Sequence, residues 1–172
     1  MITLAFFDLG TTCGFAVGQH GCLSYGEWKL QPTRFESWAM RLINFRRYLD
    51  ALYKTGAFTH VGYEEVRRHA GTDAAHCYGA LMGVLQVFCL EHGIPYGGVG
   101  VGTLKKFWTG KANASKTQMI EAACDRGFDL KTDNEADAIA GWHWLAATLG
   151  YEPSPEPAAA ALEGATHQEA AE

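Results

Sequence analysis

The feature that most restricts this chain is its first segment. Residues 2–7 form an almost unbroken apolar run that ends in a carboxylate, Asp8. A run this short and β-rich suits a central strand buried on both faces. An uncompensated carboxylate at the end of such a strand is costly, so Asp8 bears on function as well as fold. Gly10-Thr11-Thr12 then turns the chain, and residues 13–19 and 22–30 read as two more strands joined in a hairpin at His20-Gly21. Pro32 closes that part of the sheet.

From Arg34 the period changes. Trp38, Leu42, Phe45, Leu49 and Leu52 recur every three or four residues, which predicts an amphipathic helix. Residues 59–66 read as a fourth strand. Residues 73–92 read as a long helix with Cys77, Leu81, Val84, Leu85 and Phe88 on its apolar side. Residues 94–99 make a short fifth strand, after which Gly97, Gly98, Gly100 and Gly102 interrupt regular structure. Ser115-Lys116-Thr117-Gln118 is a capping box opening a helix to about Cys124, and Thr132-Asp133-Asn134-Glu135 is another, opening a last helix to about Leu149. The order βββαβαβαα predicts an α/β fold with three antiparallel strands first and crossovers afterwards.

With 172 residues, one folded unit over residues 1–150 is expected. Residues 151–172, with Pro153, Pro155 and Pro157 and an Ala/Glu composition, read as a disordered tail. No run of 18 apolar residues occurs, so no membrane span is expected, and the first residues lack the basic start of a signal peptide. Five cysteines (Cys13, Cys22, Cys77, Cys89, Cys124) without a CxxC pair read as reduced, mostly buried thiols of a cytoplasmic protein. Cysteine and histidine do not recur at the short paired spacings of a zinc site.

The formal net charge of -5 argues at first against a nucleic-acid partner. Its distribution reverses that. Glu152, Glu156, Glu163, Glu169 and Glu172 lie in the tail, where there is no Lys or Arg, so residues 1–150 hold 14 charges of each sign.

Within that neutral part the acids fall at telling places. Asp8 ends the first strand, Glu64 and Glu65 end the fourth, and Asp137 lies in the first turns of the last helix, just after Asp133 and Asn134. Carboxylates far apart in sequence, at strand ends and a helix start, are the pattern of a Mg²⁺ site, because hard cations take oxygen ligands. In two-metal phosphodiester hydrolysis one ion activates the attacking water and the other stabilises the leaving 3′ oxygen. Glu64 and Glu65 are adjacent, so only one shares a face with a given neighbour. On the last helix, Asn134 and Asp137 are spaced i,i+3 and Asp133 and Asp137 i,i+4, so either partner can lie on Asp137's face. Glu135 serves the capping box, and His143, in apolar company, reads as a core-edge histidine.

Two basic clusters accompany the acids. Lys105, Lys106, Lys111 and Lys116 surround Trp108 in an acid-free segment with Gly110, Asn113 and Ser115, which reads as flexible and rich in donors. Arg67, Arg68 and His69 follow the fourth strand directly. Such clusters grip phosphates beside a scissile bond, with an affinity that weakens in salt.

Asp8-Leu9-Gly10-Thr11-Thr12-Cys13-Gly14-Phe15-Ala16-Val17 resembles the opening of the RuvC-type Holliday-junction resolvases, which have an RNase H-like fold. The likeness continues through Tyr63-Glu64-Glu65-Val66, Tyr78-Gly79-Ala80-Leu81-Met82-Gly83 and Val101-Gly102-Thr103-Leu104-Lys105-Lys106. It ends with Lys116-Thr117-Gln118-Met119 and Glu135-Ala136-Asp137-Ala138-Ile139-Ala140, so it spans about the first 148 residues in family order. The resemblance implies a five-stranded mixed sheet flanked by helices. Asp8, Glu64 and Asp137 would be metal-binding catalytic acids, with two Mg²⁺ per site and Mn²⁺ as a substitute. Lys105 and Lys116 would lie near DNA phosphates. It further implies a homodimer that nicks opposed strands of a four-way junction, formed through the helix over residues 73–92 with its small residues Ala75, Gly79, Ala80 and Gly83.

Two departures stand out. Asn134 occupies a place where many members carry an acid or His, and Asp133 is the available replacement. Arg67 occupies a place where familiar bacterial enzymes carry an aromatic residue that stacks on bases, which hints at a more phosphate-driven, less selective nuclease acting also on flaps and forks. Viral and prophage members look like this.

Two other readings stand beside it. The Asp8-Leu9-Gly10-Thr11-Thr12 turn also resembles the first phosphate loop of actin-like ATPases, but those need two domains and a second phosphate motif, for which this chain is too short. A catalytically quiet junction-binding module would account for Asn134, but it leaves three intact acids unexplained.

Overall fold

The structure is a computed structural model, and it describes residues 2–19, 21–56, 58–67 and 71–151. The expected tail, apart from Tyr151, and Arg68 and His69 lie outside the described residues. Ten elements follow one another: β1 (Leu4–Asp8), β2 (Thr12–Gln19), β3 (Cys22–Lys29), α1 (Met40–Thr55), β4 (His60–Glu65), α2 (Thr72–Glu91), β5 (Tyr96–Gly100), α3 (Val101–Thr109), α4 (Lys116–Cys124) and α5 (Asp133–Thr148).

The strands form one mixed sheet in the order β3-β2-β1-β4-β5. β1 pairs antiparallel with β2, β2 antiparallel with β3, and β4 runs parallel to both β1 and β5. The apolar opening run is therefore the central strand, as its composition requires. Its alternation sends Ala5, Phe7 and Leu9 into a core beneath α1 and α2, and Leu4 and Phe6 into a second core beneath α3, α4 and α5. Asp8 follows Leu4 and Phe6 in that alternation and so faces α5.

Both predicted capping boxes are present. Ser115 Oγ accepts from Gln118 N at 3.3 Å, and Thr132 Oγ1 accepts from Glu135 N at 3.3 Å. Each N3 side chain bonds back to the N-cap amide, satisfying donors that a helix start leaves open.

Two expectations are corrected. The helix predicted from Arg34 begins at Met40, and Trp38 is 45% exposed rather than part of the buried stripe. The Glu36 carboxyl accepts from Thr33 N at 2.7 Å while Glu36 N donates to Thr33 O, which closes a turn where a helix would have started. The segment carrying Lys105 and Lys106 is not flexible: it is α3, and Trp108 is buried with its Nε1 donating to Met119 O. Gly110 ends α3 in the left-handed conformation, φ 80°, that a side chain would oppose. Gly97, Gly98 and Gly100 belong to β5, and Gly102 is taken into the first turn of α3.

α2 is 20 residues long and apolar enough by length and composition to cross a membrane. One face of it, with Cys77, Leu81, Leu85 and Phe88, is packed into the first core. Cys13, Cys77 and Cys89 are buried thiols, whereas Cys22 and Cys124 are exposed.

Candidate metal centre and nucleic-acid face

The sheet register brings the first two acids together. Phe7 of β1 pairs with Tyr63 of β4, and the next residues along these parallel strands are Asp8 and Glu64. Phe7 and Tyr63 share the α1/α2 core, so Asp8 and Glu64 both turn to the opposite face, toward α5. Glu65 turns back with Tyr63, where it meets Arg67 at 3.3 Å. Alternation thus separates the adjacent pair, leaving Glu64 only 8% exposed. Tyr78 of α2 fixes the end of β4: its hydroxyl donates to Glu64 O at 3.0 Å and accepts from Val66 N at 3.2 Å.

α5 supplies the third acid. Ala136, Ala138, Ile139 and Ala140 bury the start of this helix against the second core, and Trp142 Nε1 anchors it by donating to Leu4 O at 3.2 Å. Asp137 is held over the sheet beside Asp8 and Glu64, close enough to shift the titration of both.

Burial dominates the titration of all three acids, and acidic neighbours add to it at Asp8 and Glu64. Burial, then the charges of Glu64, Asp137 and Asp133, hold the Asp8 carboxyl well above its ordinary range. Burial and the Asp137 charge push Glu64 up to about 7, with Lys105 opposing. Burial, again against Lys105, pushes Asp137 up to about 6. Asp133 behaves differently: a hydrogen bond from Lys116 holds it below its usual range, and the two form a solvent-facing ion pair.

Asp137 Oδ1 is buried and has no hydrogen-bond partner. A buried carboxylate oxygen without a donor is an acceptor that a cation can satisfy. The donor set is oxygen alone, which suits a hard divalent ion. Among the described residues, no three acidic, histidine or cysteine side chains converge as a ready-made ligand set, and like charges at this range repel. The residues nonetheless fit a divalent cation by donor type, burial and the unsatisfied oxygen.

The basic residues divide. Lys105 is half-buried on α3, donates to Ala114 O at 2.8 Å, and lowers both Glu64 and Asp137, so it lies at the site. Lys116, 79% exposed in its side chain, reaches Asp133 and also acts on Asp8. Lys106 and Lys111 are exposed, and neither is among the groups that set the acids' titration. Arg67 projects from the end of β4 with its side chain 82% exposed. His143 is buried beside Trp108, Phe128 and Trp142, where burial and then Arg126 lower it to about 4. It belongs to the core.

One acid escaped sequence reasoning. Glu27 of β3 accepts from Asn134 Nδ2 at 3.0 Å, which joins the edge of the sheet to the first turn of α5. Gly14, between Glu27 and Asp8 in the register, lies under Asn134; a Cβ there would stand 2.2 Å from the Asn134 carbonyl oxygen. The only sequence signal was an acid inside a strand whose neighbours Trp28 and Leu30 are apolar.

Two of the small residues of α2, Gly79 and Gly83, face open space rather than the sheet. A Cβ on Gly79 or Gly83 would meet nothing within 4 Å. Gly83 instead lines an apolar cavity of about 460 Å³ between α1 and α2, with Leu42, Ile43, Val84 and Val87 and the arginines Arg46 and Arg47.

No protein-family model matches this chain, and no curated protein matches it in sequence. Solved structures do match. The RuvC of T. thermophilus in complex with a Holliday junction substrate superposes with a TM-score of 0.73 at 20% identity, over 87% of this chain and 97% of that one. A second Thermus thermophilus RuvC structure gives 0.68 at 21% identity, over the same shares of the two chains. The yeast mitochondrial Holliday junction resolvase Ydc2 gives 0.57 at 14% identity, over 86% of this chain and 81% of that one. The chain has the RuvC fold, and with it the RNase H-like arrangement expected from the sequence.

Proposed function

We propose that this protein is a divalent-metal-dependent endonuclease that resolves four-way DNA junctions by nicking opposed strands. The observation that carries the reading is the meeting of Asp8, Glu64 and Asp137, from three distant segments, at one sheet end with a buried Asp137 oxygen left unpartnered. The fold shared with RuvC bound to a Holliday junction substrate supports the substrate class.

In this reading Asp8, Glu64 and Asp137 hold two Mg²⁺ ions, for which Mn²⁺ can substitute, and Asn134 adds an oxygen beside them. Bound divalent cations supply Lewis-acid stabilisation of the charge that develops on the scissile phosphate. The chain itself binds and orients. Lys105, on the rigid α3, faces the acids and takes a phosphate oxygen next to the cleaved bond. Lys116 exchanges Asp133 for a backbone phosphate when DNA arrives, since an exposed ion pair contributes little to hold it. Lys106, Lys111 and Arg67 extend the same cationic face outward along the arms, positioning the duplex without reading its sequence. Burial of Glu64 and Asp137 excludes water from the acids and raises their demand for a cation.

Two active sites acting on opposed strands require two copies. The open small-residue stripe of α2 and the apolar cavity beside it, with Val87 and Leu90 exposed on the same helix, support a two-fold homodimer through this face. Arg67 in the position after β4 favours broader use on flaps and forks, because a guanidinium there binds phosphate irrespective of base.

A labelled four-way junction, assayed beside flap, fork and plain duplex DNA in Mg²⁺ and in Mn²⁺, tests the reading. Paired nicks in the junction are expected, and Asp8→Asn is expected to abolish them while junction binding stays near normal. Retained cleavage by Asp8→Asn would sink the assignment, and binding without nicking in either metal would favour the quiet junction-binding module.

A further inference from the structure

We infer that Glu27 is a positioning residue for the acidic site: it holds the Asn134 amide so that the carbonyl oxygen faces Asp8 and Asp137. The inference rests on the metal-site reading above and names how that site is completed.

The sheet register sets the frame. Asp8 of β1 pairs with Gly14 of β2, and Gly14 pairs with Glu27 of β3. Directly paired residues of neighbouring strands project to one face. Asp8 and Glu27 therefore both rise toward α5, separated by two strand spacings, about 10 Å. Between them Gly14 carries no side chain, and the Asn134 backbone carbonyl occupies that space, 2.2 Å from where a Cβ would stand. The first turn of α5 thus descends into the gap between the two acids.

From there Asn134 Nδ2 donates to Glu27 Oε2 at 3.0 Å. A carboxylate oxygen accepts, so the nitrogen of the amide, not its oxygen, must face Glu27. The amide is planar, and its oxygen and nitrogen diverge from Cγ in different directions. Committing the nitrogen to β3 turns Oδ1 back toward β1, where Asp8 stands. Asp137 lies three residues further along the same face of the helix. Asn134 then offers a neutral oxygen beside the carboxylates of Asp8 and Asp137, which lie on the same face of the sheet and helix.

The pairing also accounts for the residue type at 134. An acid there would meet Glu27 carboxylate to carboxylate at hydrogen-bond distance, which disfavours both charges. The sheet carries the acid at position 27, and the helix carries the matching amide.

The test uses the full chain and Mn²⁺ as probe, with free Mn²⁺ followed by electron paramagnetic resonance and melting followed in chelator. Glu27→Ala should weaken Mn²⁺ binding about tenfold, the loss common for outer-shell partners of metal ligands. Glu27→Gln should bind almost as the unaltered chain, because its amide oxygen still accepts from Asn134. Asn134→Asp should lower the melting temperature in chelator, and adding Glu27→Gln should restore it. Should Glu27→Ala fail to fold, Glu27→Gln alone and with Asn134→Asp carries the test. Mn²⁺ affinity indifferent to Glu27→Ala, or a double variant no more stable than Asn134→Asp, overturns the positioning role while leaving the metal site intact. If the unaltered chain binds no Mn²⁺, the metal reading fails and the positioning role falls with it.

Discussion

Replacing Glu64 by Gln keeps the shape of a buried side chain and removes its charge. Burial and the neighbouring Asp137 raise Glu64 from an ordinary value of 4.5 to about 7. The folded state therefore holds more protons than the unfolded one between those values, and stability falls as pH rises through that window. At about 1.4 kcal/mol per pH unit, the interval places a penalty of about 3 kcal/mol on the metal-free protein once Glu64 is ionised. For a domain of this size that corresponds to about 6–12 °C in melting temperature. Glu64→Gln should thus melt higher than the unaltered chain at about pH 8 in chelator, with the gain shrinking toward pH 4.5, where both side chains are neutral. Adding Mg²⁺ should reverse the order, because only the carboxylate gains a cation. Calorimetry at the two pH values, with chelator and then with Mg²⁺, reads all of this. A variant no more stable than the parent at pH 8 without metal refutes the claim that Glu64 is ionised at a desolvation cost.

Gly14→Ala should destabilise the fold by about 1–3 kcal/mol and weaken Mn²⁺ binding together, since its methyl would strike the Asn134 carbonyl and lift α5 from the sheet; urea unfolding and a metal titration check this. Lys116→Ala should cost less than about 1 kcal/mol, the pair with Asp133 being exposed, yet lower the salt slope of junction binding by about one. Val87→Lys sets a cation beside Arg46 and Arg47 on the apolar α1/α2 face; if the proposed homodimer forms there, the variant should fold normally and sediment as a monomer where the unaltered chain sediments as a dimer.

Much of this was legible in the chain. The period of the apolar residues distinguished strands from helices, and the two capping boxes located the starts of α4 and α5 to the residue. Asp8 stood out because a charge at the end of a buried strand needs a reason. What stayed hidden depended on register and on non-local packing. Glu64 and Glu65 are equivalent as text; they separate only because Tyr63 is drawn into one core and alternation then turns its neighbour to the other. Glu27 became visible only when Gly14 aligned it with Asp8, a relation that no local pattern encodes. α3 was obscured by the glycines before it, and its stability comes from Leu104 and Trp108 burying against the helices that follow. Trp38 matched the helical period by coincidence, because it lies before the start of α1 at Met40.

The order in which the site's parts leave the ribosome carries a consequence of its own. Asp8 is made with the first strand, whereas Asp137 and Asn134 arrive with α5, the last described helix. α5 is also the helix that covers the second core, so a growing chain lacks its third acid and half of its packing at the same moment. The set of three acids is complete only once the helix that covers the second core is present. A chain cut short before α5, or still in synthesis, holds Asp8 and Glu64 without Asp137 and Asn134.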